Sequence, residues 1–411
     1  MNRNTWINLV IVFVAIASWA LVACGGGGGG GNGPGTLFFA ANDGVRGIEL
    51  WSFDAPSHST TLMADIAVSG NSNPGQFTVI GDRLYFRADD GVDDNHAIWY
   101  HDITSSVTDY VPVDIYPGGD PSLDELCAYN GRLYFKADNG VVGEELWVSD
   151  GTAGGTTLVT DINPSGSGDA NNMAVYAGRL FFTATDITGE NQLWSYDASS
   201  GITTMEADIN PSGYDGLSDK TVYGNLLFFS GTNGIDGREL WSYDSSSHIA
   251  TVVADINPSG GSTLGYLTVC DGTLYFSADD GVRGAELWSY DLPSGIHTLV
   301  ANIQPDPGSS SPNHLICLDD VLYFSADDGT RGYELWAHDT SSGITTLVGD
   351  IDSGGSSSPR YLTVYDGEIY FTASGLTTEL FSYDPMTESV WGHADIYTGG
   401  DAVLRELTVT P

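Results

Sequence analysis

The feature that most constrains this chain is a unit of about 47 residues that recurs along most of its length. Aligned tryptophans stand at Trp51, Trp99, Trp147, Trp194, Trp241, Trp288 and Trp336, with Phe381 in the eighth place, at spacings of 48, 48, 47, 47, 47, 48 and 45. A second marker keeps the same register. An Asp-Ile or Asn-Ile pair begins at Asp65, Asp114, Asp161, Asp208, Asp255, Asn302, Asp350 and Asp395, fourteen or fifteen residues after each aromatic. Two markers with one period describe a supersecondary unit that buries its apolar face by stacking on copies of itself.

Within one unit, 267–303, the order is Leu-Thr-Val-Cys, Leu-Tyr-Phe-Ser-Ala, Glu-Leu-Trp-Ser-Tyr and His-Thr-Leu-Val-Ala. Each run is rich in β-branched or aromatic residues and is bounded by Gly, Asp, Ser or Pro, and Asp271-Gly272 favours a tight hairpin. Four short strands per unit, with 53 glycines and 16 prolines in the chain, predict all-β blades arranged radially. The ordered part opens at Leu37 with a second-strand sequence and ends at Leu407-Thr-Val-Thr with a first-strand one. The expected fold is therefore an eight-bladed β-propeller whose first blade is completed by the C-terminal strand, which leaves no exposed sheet edge at the seam.

From Ala278 the chain reads Ala-Asp-Asp-Gly-Val-Arg-Gly-Ala-Glu-Leu-Trp, and the stretches from Ala41 and Ala326 keep the same Ala, Asp, Gly and Trp positions. Those from Ala137 and Gly231 carry Asn in the Asp position. The pattern resembles the tryptophan-docking motif of quinoprotein-type eight-bladed propellers. That resemblance implies structural docking roles for Trp51, Trp147, Trp241, Trp288 and Trp336, whose indoles would pack between blades. The usual threonine of that motif is replaced by Arg46, Arg283 and Arg331. The repeat also resembles a bacterial exported-protein family named for a Glu-Leu-Trp, Asp-Gly-Thr unit, best matched here by 145–152. That resemblance implies an exported, surface-exposed architecture and no particular chemistry.

The N-terminus reads as an address. Arg3 precedes an apolar run from Leu9 to Ala23, too short to span a membrane but suited to a signal peptide, and the run ends in Leu21-Val22-Ala23-Cys24. These four residues resemble the lipobox of bacterial lipoproteins, which implies lipidation of Cys24 and anchoring through acyl chains. Gly25 after the cysteine resembles outer-membrane sorting. A glycine run follows and serves as a flexible tether. The expected organisation is a signal peptide at 1–23, a lipidated tether at 24–36 and a propeller at 37–411, in a protein exported to the cell envelope.

With 54 acidic and 13 basic residues the net charge is −41, and Lys136 and Lys220 are the only lysines. A nucleic-acid partner is excluded by the lack of a basic surface. Calcium is the one cofactor the composition suggests: Asp89, Asp90, Asp93 and Asp94, and Asp279 with Asp280, offer carboxylates near turns. No stretch fits a known calcium-loop pattern, and turn capping by Asp is the competing explanation. The eight histidines are expected at unrelated, solvated positions, and Cys127, Cys270 and Cys317 as separate small buried groups on inner strands. No reaction is identified. A non-catalytic binding module for an envelope protein, glycan or cation is the leading expectation, with an outer-membrane assembly scaffold and a glycan-active or quinone-dependent enzyme as alternatives.

Overall fold

The computed structural model describes residues 35–92, 96–374, 378–394, 396–397 and 402–410. Cys24 and the glycine tether lie outside the described residues, as do Asp93 and Asp94. Eight four-stranded antiparallel sheets form a ring. Blade I takes its inner strand from Arg405–Thr410 and continues through Thr36–Asn42, Ile48–Asp54 and Ser59–Ala64. Seven blades then follow in chain order, named here by their inner and outer strands. Blade II runs from Gly75–Ile80 to Val107–Tyr110, III from Asp124–Tyr129 to Thr157–Thr160 and IV from Asn171–Tyr176 to Ile202–Ala207. Blade V runs from Ser218–Tyr223 to Ile249–Ala254, VI from Gly265–Cys270 to Ile296–Ala301, VII from Asn313–Leu318 to Ile344–Gly349 and VIII from Arg360–Tyr365 to Ser389–Ala394. Blade I is thus closed by the C-terminal strand, through the pairing of Leu37 with Val409.

The second strand of each blade is buried along nearly its whole length, as in Thr273–Asp279. A short apolar run of this kind suits a sheet covered on both faces. Outer strands such as Ile296–Ala301 remain mostly exposed. The first hairpin of blade VI turns through Asp271 and Gly272, both at positive φ (44° and 65°), the backbone that Asp-Gly adopts at low cost. In blade III the Asp-Gly-Thr sequence builds a single 3-10 turn, Ala153–Gly155, capped by the Thr152 side chain accepting the Gly155 N–H.

A buried carboxylate ties most blades to the next. Glu49, Glu145, Glu239, Glu286 and Glu334, each opening a Glu-Leu-Trp sequence, are at most 1% exposed. Each accepts the backbone N–H of the isoleucine 17 residues on: Ile66 (2.8 Å), Ile162 (3.0 Å), Ile256 (2.9 Å), Ile303 (2.8 Å) and Ile351 (2.9 Å). Each also accepts a second N–H further along, from Ser72, Gly168, Ser262, Ser310 or Ser357, at 2.8–3.2 Å. The two donors lie at either end of the connection that leads from the outer strand into the next blade. Backbone donors lost from water there are satisfied by one side chain. Burial outweighs these bonds and raises the pKa of all five, Glu145 and Glu239 to about 7.

Blade IV reaches the same end differently. Gln192 occupies the glutamate position and is buried. The carboxylate comes instead from Asp215, 23 residues on, which accepts the Ile209 and Asn210 N–H groups at 3.1 and 2.8 Å. Asp215 is fully buried, and burial raises its pKa to about 7. In blade II neither device is present: Ala97 stands in the glutamate position, and Pro121, with no N–H, stands where Ser72 does. Blade II also lacks the bulge that every other blade carries between its third and outer strands.

The expectation that Cys270 and Cys317 are separate apolar groups is overturned. They form a disulfide with Cα atoms 5.4 Å apart, joining the inner strands of blades VI and VII. Their separation of 47 residues is one repeat, so the ring brings both to the same level on adjacent strands. Cys127 is fully buried on the inner strand of blade III.

Candidate functional site

Inner strands of adjacent blades touch all the way round, including Arg405–Thr410 against Gly75–Ile80, so these strands wall the axis. The second residue of every inner strand is a non-glycine residue at positive φ: Gln76 (60°), Glu125 (59°), Asn172 (52°), Asp219 (50°), Tyr266 (60°), His314 (53°), Tyr361 (60°) and Glu406 (62°). Each lies where the register with the second strand shifts. A bulge redirects a side chain, and a left-handed residue bearing a Cβ costs roughly 1–2 kcal/mol. The same strained device, used in every blade, turns an unlike set of side chains toward one another.

These side chains meet around the axis in two arcs. In the acidic arc Glu406 accepts the Gln76 N–H (2.8 Å), Glu125 the Asn172 N–H (2.8 Å) and Asp219 the Tyr266 N–H (3.1 Å). In the aromatic arc the rings of Tyr266 and His314 lie 6.0 Å apart, and His314 meets Tyr361 edge-on at 5.6 Å. Burial governs the protonation of both. It raises Glu406 to about 8, raises Glu125 and Asp219, and lowers His314 to about 4, with Arg360 adding to the last shift. Such groups favour their neutral forms. Lys220 follows Asp219 at a position that is Phe77, Leu126, Met173, Leu267, Leu315, Leu362 or Leu407 in the other inner strands. It is 3% exposed, and its Nζ has no hydrogen-bond partner among the described residues. Burial lowers its pKa to about 7 against the opposing pull of Glu125 and Asp219.

The carboxylates singled out from the sequence lie elsewhere. Asp89, Asp90, Asp279 and Asp280 each accept the backbone N–H two residues on, at 2.7–2.9 Å, and so close their own turns. Asp280 also pairs with Arg283. Among the described residues no group of three or more His, Cys, Asp or Glu side chains is placed to hold a metal ion.

Trp51, Trp147, Trp241 and Trp288 are at most 9% exposed, and Trp336 is half-buried. Trp147, Trp241 and Trp288 share apolar clusters with the blade before their own. In Trp51 and Trp336 the indole N–H donates to the carbonyl of the alanine ten residues earlier, Ala41 or Ala326, at 3.1 Å. The histidines depart from expectation. His101 and His338 share one repeat position, are 3% and 5% exposed, and bond Thr108 and Thr345 at 2.8 and 2.9 Å. His58 and His248 share another, at positive φ in the turn before the outer strand.

No known family profile matches the chain, and no curated protein does. Solved structures resemble it in fold. A structure from a study of two prolyl endopeptidases matches with a TM-score of 0.55 at 12% identity, over 82% of this chain and 50% of that one. Dihydro-heme d1 dehydrogenase NirN, in complex with DHE, matches with a TM-score of 0.54 at 14% identity, over 86% of this chain and 72% of that one. A Mycobacterium tuberculosis puromycin-hydrolyzing peptidase matches with a TM-score of 0.52 at 11% identity, over 80% and 55%. The matched region is about half the length of these peptidases, and the likeness is one of fold.

Proposed function

We propose that this protein is a non-catalytic binding module, held at a bacterial cell envelope by a lipid on Cys24, whose ligand sits on the ring of redirected side chains around the propeller axis. The observation that carries this reading is the backbone conformation of Gln76, Glu125, Asn172, Asp219, Tyr266, His314, Tyr361 and Glu406. Glycine, asparagine or aspartate suits a left-handed bulge best, yet of the eight only Asn172 and Asp219 follow that preference. Strain kept in every blade, with the side chain varied from blade to blade, is the pattern of a recognition surface on a constant frame. A protein or glycan ligand would bond the acidic arc and lay an apolar or planar face on Tyr266, His314 and Tyr361.

Glycine substitution separates recognition from support, because it relieves the left-handed strain while deleting the side chain. The triple variant Tyr266→Gly, His314→Gly, Tyr361→Gly is expected to unfold in urea within about 1 kcal/mol of the parent. It should also lose the partners captured by the parent when intact cells are crosslinked. A variant several kcal/mol less stable would make the arc a structural element and remove the basis of the reading. The lipid is tested separately, since Cys24→Ser should abolish incorporation of labelled palmitate and release the protein from membranes.

A further inference from the structure

Away from the axis, a cleft of about 570 Å³ opens at the junction of blades II and III, lined among others by Asp90, Ala97, Trp99, Tyr110, Asp114 and Pro121. It coincides with the missing tie: Ala97 and Pro121 replace the glutamate and the donor that draw the connection inward at the neighbouring junctions. Ile98 and Leu123 form an apolar floor, and the rings of Trp99 and Tyr110 lie 5.6 Å apart at one side. Asp90 and Asp114 are exposed on it. The volume falls in the range of small-ligand pockets.

The other blades indicate what belongs between these carboxylates. In blade I, Arg46 pairs with Asp43 and reaches Asp65 at 3.8 Å; in blade VII, Arg331 pairs with Asp328 and reaches Asp350 at 3.6 Å. Asp43 and Asp328 correspond to Asp90, and Asp65 and Asp350 to Asp114. A guanidinium from the blade's own loop therefore bridges the two acids. Blades III and V have no such arginine and carry Asn139 and Asn233 in place of the first aspartate; in blade V the Asn233 amide donates to Asp236, which stands in the arginine position. Blade IV keeps Asp186 without an arginine, but there the Thr188 hydroxyl bonds the carboxylate in addition to the kind of backbone N–H that Asp90 also accepts, and Asp215 supplies the tie. Blade II keeps both acids, has Asp93 in the arginine's sequence position, and opens a cleft.

We infer that the cleft between blades II and III binds an arginine or lysine side chain of a partner polypeptide, the partner supplying the cation that blades I and VII carry in their own loops. A guanidinium between Asp90 and Asp114 can also stack on Trp99 and Tyr110, since a ring face attracts a cation. The chain's charge of −41 draws in basic segments and repels acidic ones.

Calorimetry on the full-length protein with Ac-Gly-Arg-Gly-amide, its citrulline counterpart and agmatine tests this. Citrulline keeps the shape and removes the charge; agmatine keeps the guanidinium and removes the peptide. The arginine peptide should bind at least tenfold more tightly than the citrulline one and more tightly than agmatine. The double variant Asp90→Asn, Asp114→Asn, checked by its melting curve, should lose at least tenfold. Equal binding of the citrulline peptide, undiminished binding by the double variant, or no binding of the arginine peptide would overturn the site. Agmatine binding as tightly as the peptide would overturn the polypeptide source.

Discussion

The junctions between blades differ in how they hold together, and the contrast between those leaving blades VII, IV and II is instructive. After blade VII, Glu334 gathers the Ile351 and Ser357 N–H groups (both 2.9 Å) and the Ser357 hydroxyl (2.6 Å). After blade IV the carboxylate has moved to the far end of the connection, as Asp215, and the original position has become Gln192. After blade II there is no buried carboxylate on either side, and a cleft takes the space. The junctions after blades VII and IV thus share a buried acceptor rather than a particular residue at a particular place. Where both devices are missing, a cleft opens between the blades.

Several experiments would break or sharpen that comparison. The largest effect is expected at Trp241, which is 8% exposed in a cluster shared with blade IV. Trp241→Ala should cost about 3–5 kcal/mol in urea unfolding, and a loss below about 1 kcal/mol would show that the indoles do not hold the junctions. Next is Glu334→Ala, which strands the Ile351 and Ser357 N–H groups and should cost about 3 kcal/mol. Ala97→Glu in blade II should gain little, because Pro121 offers no N–H to it.

A third test moves the carboxylate back. Asp215→Ser alone should cost about 2 kcal/mol, and the double variant Gln192→Glu, Asp215→Ser should recover most of it, rebuilding in blade IV the arrangement of blade VII. A double variant no more stable than Asp215→Ser would mean that the two devices are not equivalent.

The smallest effect is in pH. Glu145, Glu239 and Asp215, raised to about 7, and Glu406, raised to about 8, bind more protons folded than unfolded near neutrality. Their contribution is full below the unfolded carboxylate range and is lost as pH rises through 7 to 8. Lys220, lowered to about 7, acts in the opposite sense as pH rises above 7, and His314 and His393, lowered to about 4, do so only below their unfolded range near 6.5. Between pH 6.5 and 7.5 the carboxylates outnumber the one opposing group, so stability should fall by on the order of 1 kcal/mol. A urea midpoint that rises over this interval would show that the hydrogen bonds, and not burial, control these carboxylates.

The blades were legible because they repeat in kind as well as in position. A tryptophan that must be buried and a strand pair that must alternate leave the same letters every 47 or 48 residues. The split of blade I followed from the same letters. The axial ring was illegible for the opposite reason: the backbone conformation repeats, but no one residue type runs through Gln76, Glu125, Asn172, Asp219, Tyr266, His314, Tyr361 and Glu406. A signal was available one residue later, in the apolar series from Phe77 to Leu407 that Lys220 interrupts. The junction glutamates stood in plain view within Glu-Leu-Trp, and the serine or glycine 23 or 24 residues on was the clue to their burial. The Cys270–Cys317 disulfide was misread, although a cysteine spacing of one repeat was the signal for it. For the rim aspartates, turn capping and metal binding use the same letters, and only geometry separates them.

The seam in blade I bears on how the protein matures. Thr36 and Thr410, 374 positions apart, lie side by side across the seam. Every other blade pairs strands from one continuous stretch of the chain, whereas this sheet waits for Arg405–Thr410. Until they arrive, Thr36–Asn42 presents an open edge and the entropic cost of closing so long a loop is unmet. A chain stalled before residue 405 therefore carries seven finished blades with an eighth still seeking its inner strand.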